Sequence, residues 1–257
     1  MGLFGSARAN LRDVHRFGVG VLRRHLASDR TFAIRVRDFG PIHMRKDSLD
    51  LDLARVVLVD GAYDYPWPKV AEERLRRRYE SILAAGKKPV IVNAGGYIGF
   101  SALWFARQWP DAQIVSIEPD PGNLELLHRN LAGKRGHTIV EAAVGSAPGT
   151  ATLSDDPEGC AVQTKRADNG VEIVTIDDAV ALVPDGEPFI CNIDIEGFEE
   201  DLFAANTGWI DRFALVIIEP HDWREPGAMI SRNFQREMAA RPFEIYPRRD
   251  ALYYLHA

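Results

Sequence analysis

Cysteine is scarce in this chain of 257 residues, which contains only Cys160 and Cys191. Small secreted scaffolds rely on several paired cysteines, and structural zinc sites need thiolates or histidines at short spacing. A disulfide framework and a cysteine zinc site are therefore both poorly supported. Cys191 lies in an apolar, strand-like run, where a reduced thiol behaves as a small hydrophobic side chain.

Excess positive charge and long hydrophobic runs are also absent. The formal net charge is -6 and the sequence pI is about 5.7, so no overall basic field attracts nucleic acid by counterion release. No apolar run approaches the roughly 18 to 20 residues that cross a bilayer, and the amino end lacks the contiguous apolar segment of a signal peptide. We expect a cytoplasmic protein without a nucleic-acid partner or a transmembrane segment.

The composition itself, 46% hydrophobic and 26% charged, suits one large globular domain. The first 30 residues differ from the rest because arginine outnumbers aspartate there. Apolar residues fall near helical spacing at Leu11, Val14, Phe17, Val21 and Leu22, which predicts a basic amphipathic helix. We favour packing of this helix on the body of the domain, and peripheral contact with an anionic membrane surface is the alternative.

Apolar runs and turn residues predict the order of elements along the chain. Short strands are predicted within 31–45 and 54–59, and a helix over 70–85. Further strands are predicted at 89–92, 113–117, 138–142, 189–193 and 214–218, helices at 100–108, 121–131 and 198–205, and a terminal antiparallel hairpin from 243–246 and 251–255. This alternation is typical of βαβ units. We predict an α/β fold with a doubly wound, Rossmann-like, mostly parallel sheet over residues 86–257, and a helical and β extension, residues 1–85, packed on it.

A glycine-rich turn follows the first predicted strand of that sheet. Gly95, Gly96 and Gly99 stand where backbone amides can approach a nucleotide-like ligand. A dinucleotide fingerprint requires a glycine at the position of Tyr97, so the spacing favours a methyl-donor site of the S-adenosylmethionine type over an NAD site. Glu118 ends the second strand, where doubly wound folds use an acid to hold ribose hydroxyls.

Polar residues also end the two strands at 189–193 and 214–218. Asp194 and Glu196 follow the first, and strand alternation predicts that they face one side. Glu219 and His221 follow the second and reach the same edge of the sheet. A histidine beside carboxylates at this edge is a candidate catalytic group.

Two further interpretations concern the surroundings of these residues. Glu199 falls in the first turn of the next helix, where negative charge is favoured by the helix dipole, so we interpret it as structural. Asp194, Glu219, His221 and Asp222 offer oxygen and nitrogen ligands, but the loop spacing of a dedicated metal site is missing. A divalent metal is therefore not expected.

From about residue 42 to residue 246, the chain resembles the FkbM-type S-adenosylmethionine-dependent methyltransferases. The segments that carry the resemblance are Asp60-Gly61-Ala62-Tyr63-Asp64, Asn93-Ala94-Gly95-Gly96-Tyr97-Ile98-Gly99, Glu118-Pro119-Asp120-Pro121, Ala142-Ala143-Val144-Gly145, Thr175-Ile176-Asp177-Asp178, Asn192-Ile193-Asp194-Ile195-Glu196-Gly197 and Ile218-Glu219-Pro220-His221. The resemblance implies a class I methyltransferase sheet. The chain departs from the family pattern at three positions. These are Asn93, where aspartate is usual, Tyr97, where asparagine is usual, and Asn192, where lysine is usual.

The resemblance also implies roles for individual residues. The methionine part of the donor is expected near Asn93, Gly95, Gly96, Tyr97 and Gly99. Its ribose is expected at Glu118 and its adenine at Ala142, with Pro119 and Asp194 completing the donor site.

The same resemblance implies O-methylation of a hydroxyl on a sugar, a glycolipid or a polyketide-like natural product. Removing the proton from such an acceptor requires a general base. We predict His221 or Asp194 in that role, with Glu196 orienting the acceptor or the base. A donor-binding partner protein without catalysis is the alternative, and an NAD-dependent oxidoreductase is a weaker third hypothesis.

Overall fold

The computed structural model describes residues 14, 17, 18, 21, 30–65, 67–155 and 162–257. Its strands are β1 (Thr31–Val36), β2 (Gly40–Arg45), β3 (Lys88–Ala94), β4 (Gln113–Ile117), β5 (His137–Val140), β6 (Ala143–Val144), β7 (Gly149–Asp155), β8 (Val162–Arg166), β9 (Val171–Val174), β10 (Gly186–Ile193), β11 (Leu215–Ile218), β12 (Phe243–Arg248) and β13 (Ala251–His256). Its α-helices are α1 (Asp50–Ala54), α2 (Lys69–Ala84), α3 (Phe100–Gln108), α4 (Pro121–Leu131), α5 (Ile176–Ala181), α6 (Glu199–Leu202) and α7 (Arg232–Ala239).

The central sheet has seven strands in the order β12-β13-β11-β10-β3-β4-β5. Neighbours from β5 to β11 are parallel, whereas β13 is antiparallel to both β11 and β12. The predicted doubly wound, mostly parallel α/β sheet with a terminal antiparallel hairpin is confirmed. The chain runs outward from β3 in both directions, so the strand order reverses between β3 and β10. Ligands of such sheets bind beyond the carboxyl ends of the strands at this reversal.

Both faces of the parallel strands are covered. On one face, Ile91 and Ile114 pack in the same cluster as the aromatic side chains of α3. On the other face, Val90, Val92 and Val115 belong to a second cluster. A strand covered on both faces has a continuous apolar sequence, which is why the short apolar runs predict these strands well.

The predicted strand at 54–59 is wrong. This segment continues α1 as a π-helical turn, Arg55–Val59. Leu51, Ala54 and Leu58 are buried at helical spacing, and the burial of this helical face outweighs the strand preference of the valines between them. The predicted helix at 198–205 is also shorter than expected, because α6 ends at Leu202.

The sequence pattern gives no prediction for a second sheet, which has four strands in the order β6-β9-β7-β8. Its strands β7 and β8 are rich in polar residues, so they lack the apolar runs that reveal the central strands. Helix α5 is also new, and it begins with a capping box in which Thr175 and Asp178 bond each other's backbone N–H groups.

Residues 31–85 share a hydrophobic cluster with the central sheet. Ile42, Met44 and Leu75 are buried in the cluster that contains Ile91. Asn130 on α4 strengthens this contact, because its side chain accepts from the His43 N–H at 2.7 Å and donates to the carbonyl oxygens of His43 at 3.0 Å and Ile98 at 2.8 Å. The division of the chain at residue 85 stays a prediction.

Most of the basic N-terminal segment lies outside the described residues, and so does the proposed membrane contact. Three of its apolar positions are described: Phe17 and Val21 are buried in the cluster of Ile42, and the partly buried Val14 packs against it. Cys160 also lies outside the described residues. Within the described ranges, no helix combines the length and the apolarity that crossing a bilayer requires.

Candidate functional site

A cavity of about 960 Å³ lies at the carboxyl ends of the parallel strands. It is lined by residues that directly follow β3, β4, β10 and β11, which are Gly95, Glu118, Asp194 and Glu219. A second part of its wall comes from the segment that runs from the end of β2 into the π-helical turn, including Leu49, Leu53 and Val57. This volume is at the upper end of the range for small-molecule pockets, so two substrates have room in it.

The cavity separates the predicted site residues into two groups. Those that line it are Gly95, Tyr97, Glu118, Pro119, Ala142, Asp194 and Glu196. Those that are not part of its lining are Asn93, Gly96, Gly99 and His221.

Gly95 occupies a turn that no larger residue fits. Its φ angle is 85°, and a Cβ atom would lie 1.7 Å from the carbonyl oxygen of Asp194. The N–H groups of Gly95 and Gly96 both donate to the carbonyl oxygen of Ile117, at 3.0 and 2.9 Å. The turn thus joins the ends of β3, β4 and β10 at one point of the cavity wall.

Glu118 is the most deeply buried carboxylate of the cavity wall, with 5% of its surface exposed. Its oxygens accept hydrogen bonds from the Tyr97 N–H at 2.7 Å, the Asp120 N–H at 3.1 Å and the Asn123 amide at 3.1 Å. Burial raises its pKa to about 7, although these hydrogen bonds act in the opposite direction. The side chain is held in a fixed position beside the glycine turn.

A ring of hydrogen bonds connects Glu118 with the segment after β2. The Tyr97 hydroxyl donates to the fully buried carboxylate of Asp50. Asp50 also accepts from Arg45, through Nε at 3.1 Å and Nη2 at 3.0 Å, and Arg45 Nη1 donates to Asn123 at 2.9 Å. Because Asn123 and Tyr97 both bond Glu118, the ring is closed. Sequence reasoning missed Arg45 and Asp50, which no local motif distinguishes from surface charges.

His221 lies behind the cavity wall, with 1% of its side chain exposed. Its Nδ1 is 2.7 Å from Oε1 of Glu199, which is itself fully buried. The structural interpretation of Glu199 as a dipole partner is therefore incomplete, because this carboxylate is the hydrogen-bond acceptor of the histidine. Burial lowers the pKa of His221, but the hydrogen bond and charge of Glu199, with the charges of Asp194 and Glu196, raise it overall to about 9.

The other ring nitrogen of His221 faces three carboxylates. Nε2 lies 3.3 Å from Oε2 of Glu196, 3.6 Å from Oδ1 of Asp194 and 4.0 Å from Oε1 of Glu219. Burial and the neighbouring negative charges raise the pKa of each of these carboxyl groups. The structure therefore brings all the predicted catalytic residues together around one imidazole.

Asp194 and Glu196 do face the same imidazole, but strand alternation, the predicted reason, is wrong. The strand ends at Ile193, and Glu196 has a left-handed φ angle of 56°. This turn, and not strand alternation, brings the Glu196 side chain back toward His221. Arg224 Nη1 donates to Oε2 of Glu196 at 2.8 Å and holds it there.

Asn93 is fully buried in the sheet, and its predicted contact with the donor stays a prediction. Its Oδ1 accepts from Nδ2 of Asn192 at 3.0 Å, and its own Nδ2 is 3.4 Å from the Ser116 hydroxyl. Asn192 is buried as well. The two amides form a polar pair between β3 and β10, beneath the cavity.

Comparison with known families and proteins gives two matches in sequence. Residues 93–240 match the family described as the methyltransferase FkbM domain. Methyltransferase sdnD of Sordaria araneosa is 36% identical over 72 residues, which are 27% of this chain and 28% of that protein. The aligned segment thus spans little more than a quarter of the curated relative.

Solved structures with a similar arrangement are distant in sequence. The methyltransferase PaMTH1 of Podospora anserina, bound to SAH, is 11% identical with a TM-score of 0.42, over 80% of this chain and 84% of that one. TomG of Streptomyces achromogenes, an O-methyltransferase of tomaymycin synthesis in complex with SAM, is 14% identical with a TM-score of 0.40, over 72% and 80%. Fibrillarin of Aeropyrum pernix, with natively bound S-adenosyl-L-methionine, is 12% identical with a TM-score of 0.39, over 88% and 94%.

Proposed function

This chain belongs to the methyltransferase FkbM domain family, and we propose that it transfers a methyl group from S-adenosylmethionine to a hydroxyl of a sugar, a glycolipid or a natural product. The observation that carries the proposal is Glu118, a carboxylate fixed in the cavity wall at the carboxyl end of β4. An acid in this place holds ribose hydroxyls in doubly wound folds.

The rest of the donor fits around Glu118. The adenine is assigned to the wall formed by Pro119 and Ala142, and the methionine part to Gly95 and the backbone of Tyr97, all of which line the cavity. The bare backbone of Gly95 lets the donor approach the end of β3 closely. The cavity volume leaves space for an acceptor beside the donor.

The reaction is an in-line displacement at the methyl carbon. The acceptor oxygen forms the new bond to carbon, the carbon–sulfur bond breaks, and S-adenosylhomocysteine leaves with the electron pair. The hydroxyl proton must pass to a base, and alignment of the two substrates supplies much of the acceleration.

Glu219 is our assignment for this base. It lines the cavity, and it is the carboxylate farthest from His221 among the three that face Nε2. Glu196 is engaged by Arg224, and Asp194 lies closer to the imidazole. His221 is not part of the cavity lining, so the predicted direct role as base is replaced by one of positioning the carboxylates in front of it.

The first experiment is calorimetric titration with S-adenosylhomocysteine of the parent protein, of Glu118→Ala, and of Glu73→Ala as a matched control. Glu73 is an exposed glutamate on α2. We expect saturable binding that the control retains, and that Glu118→Ala weakens about 10- to 100-fold, as the loss of hydrogen bonds to a charged group predicts. A parent that fails to bind, or a Glu118→Ala variant that binds normally, would overturn the donor site. Binding of NAD in place of S-adenosylhomocysteine would favour an oxidoreductase.

The second experiment measures methyl transfer from labelled S-adenosylmethionine to a panel of hydroxyl acceptors. Glu219→Gln should keep donor binding and lower turnover about 10²- to 10⁴-fold, the usual contribution of a general base. Donor binding with no transfer to any acceptor would instead support a partner protein without catalysis.

A further inference from the structure

We propose that His221, Asp194 and Glu196 form a binding site for a divalent transition cation such as Zn²⁺ at the edge of the cavity. One ligand atom from each of the three residues lies within 4.8 Å of the others. Cation binding goes beyond the proposed function and does not depend on it. Only the catalytic role given to the cation below rests on methyl transfer.

The separations from the imidazole suit a cation better than hydrogen bonds. Nε2 lies 3.3 and 3.6 Å from the oxygens of Glu196 and Asp194, longer than the roughly 2.7 to 3.2 Å of a direct N–H···O bond. A tetrahedral ion with bonds of about 2.0 to 2.2 Å places its nitrogen and oxygen ligands about 3.3 to 3.6 Å apart. The two separations from the imidazole therefore match those around such an ion.

The residues behind the ligands also match a metal centre. Histidine ligands donate their second N–H to a carboxylate, which orients the ring and strengthens the ligand nitrogen. Glu199 provides this partner at 2.7 Å from Nδ1, and both side chains are 1% exposed. Glu196 is held in the same way by Arg224, at 2.8 Å. Two of the three ligands thus have a buried partner that fixes their direction.

The cluster around His221 contains more acidic than basic side chains, which favours binding of a cation. Asp194, Glu196, Glu199 and Glu219 surround the imidazole. Among the described residues that form ion pairs with this cluster, only His221 and Arg224 are cationic. Negative groups packed together out of water repel each other, and a divalent ion would remove the excess charge.

The position of the site gives the cation a role in the proposed reaction. Asp194 and Glu196 line the cavity, while His221 closes the site from behind. A fourth position on the ion would therefore point to the cavity, as in catalytic zinc sites with three protein ligands. An acceptor hydroxyl bound there would lose its proton more readily, and Glu219, 4.0 Å from Nε2, is placed to take it.

The test is calorimetric titration of Zn²⁺ into chelator-treated protein. Glu196→Gln is the main variant, because it changes a half-buried ligand and leaves the buried His221–Glu199 pair in place. His221→Ala is the second ligand variant. His128→Ala is the matched control, since His128 and Glu141 form an exposed histidine–carboxylate pair at 2.9 Å. Glu199→Gln removes the charge of the carboxylate that bonds Nδ1 of His221 but retains an acceptor oxygen, so it tests the contribution of that charge to cation binding.

We expect one ion per chain in the parent and in the control. Glu196→Gln should weaken binding at least about tenfold, and Glu199→Gln about 10- to 100-fold, as loss of a ligand's partner does elsewhere. No binding to the parent, or binding that the Glu196 and His221 variants leave unchanged, would overturn the site. Displacement of Zn²⁺ by S-adenosylmethionine would overturn the catalytic role of the cation, because cation and donor would then not be bound together. Titration of S-adenosylhomocysteine without Zn²⁺ on the same samples reveals a failure of the donor site separately.

Discussion

Asn192 donates a hydrogen bond to Asn93 across β10 and β3, and the two residues face each other in the register of the strands. They occupy the two positions at which FkbM-type sequences usually carry a lysine and an aspartate. In this protein a neutral amide pair therefore stands where opposite charges would meet in the buried sheet. The two departures from the family pattern thus meet in one contact, and neither residue lines the cavity.

This pairing predicts strong coupling between two substitutions. Asn93→Asp alone buries a carboxylate without a cation, and Asn192→Lys alone buries an ammonium group without an anion. Each should lower the free energy of unfolding by about 3 to 5 kcal/mol, the cost of an uncompensated buried charge. The double variant should recover most of that loss, which urea unfolding of all four proteins measures. Additive losses in the double variant would contradict the pairing.

Donor binding should depend on pH through Glu118. Burial raises the pKa of Glu118 to about 7, whereas ribose hydroxyls bind best to the carboxylate. Affinity for S-adenosylhomocysteine should therefore be full above the pKa and fall roughly tenfold for each pH unit well below it, as one-proton linkage requires. Calorimetry from pH 5.5 to 8 on the parent and Glu118→Gln measures this.

The glutamine variant cannot titrate at this position, so its affinity should be lower but nearly constant over the same pH range. Glu73→Gln, on the exposed surface of α2, should follow the parent. A falling affinity at low pH in Glu118→Gln would assign the dependence to another group.

The turn at Gly95 should tolerate no side chain. In Gly95→Ala, the new methyl group would lie 1.7 Å from the Asp194 carbonyl oxygen. The alanine would also have to keep the left-handed backbone conformation of Gly95. We expect a loss of at least about 3 kcal/mol in unfolding free energy, from overpacking and backbone strain together. Donor binding should disappear, because β3 and β10 must separate at the cavity wall.

Gly133→Ala is the control for this prediction. Gly133 also has a positive φ angle, 72°, but a Cβ atom there meets nothing within 4 Å. Its loss should be limited to the strain of about 1 kcal/mol. Chemical denaturation compares the two variants, and equal losses would show that the contact with Asp194 is unimportant.

Tyr97 should support the fold through its hydroxyl and the donor site through its backbone. Tyr97→Phe removes the donor to Asp50 and leaves the Arg45–Asp50 pair in place, so unfolding free energy should fall by about 1.5 kcal/mol. The N–H bond to Glu118 remains, and S-adenosylhomocysteine affinity should change less than about threefold, or 0.65 kcal/mol. Tyr97 has a left-handed φ angle of 46°. Tyr97→Asn, which introduces the usual family residue, should also bind, since asparagine adopts such angles readily. Loss of binding in the phenylalanine variant would instead assign the hydroxyl to the donor site.

The central sheet could be predicted because its strands carry their signal locally. The apolar runs around Ile91, Ile114 and Ile190 are covered on both faces, and the residues directly after these strands line the cavity. The same logic found Glu118, Asp194 and Glu219, which each directly follow a strand. The strands of the second sheet lack such runs, and the sequence pattern gives no hint of them.

The contacts that hold the site could not be predicted, since they join distant parts of the chain. The Asp50 carboxylate meets Tyr97 across 47 positions, and Glu199 meets His221 across 22. Each of these acids has a commoner local explanation, as a surface charge or as a residue that favours a helix start. Burial distinguishes an acid that forms such a contact from one with only a local role. Because burial depends on the whole fold, the local sequence does not reveal it.

The sheet order has a consequence for how the chain acquires its shape. β3 and β10 are neighbours, yet Asn93 and Asn192, which they bring together, are 99 positions apart. Contacts of such long separation form slowly, because a large loop must close before they can stabilise anything. During synthesis, the first half of the sheet must wait for β10 and β11 to emerge. The cavity is thus a late product of folding, and a bound donor would stabilise only the completed sheet.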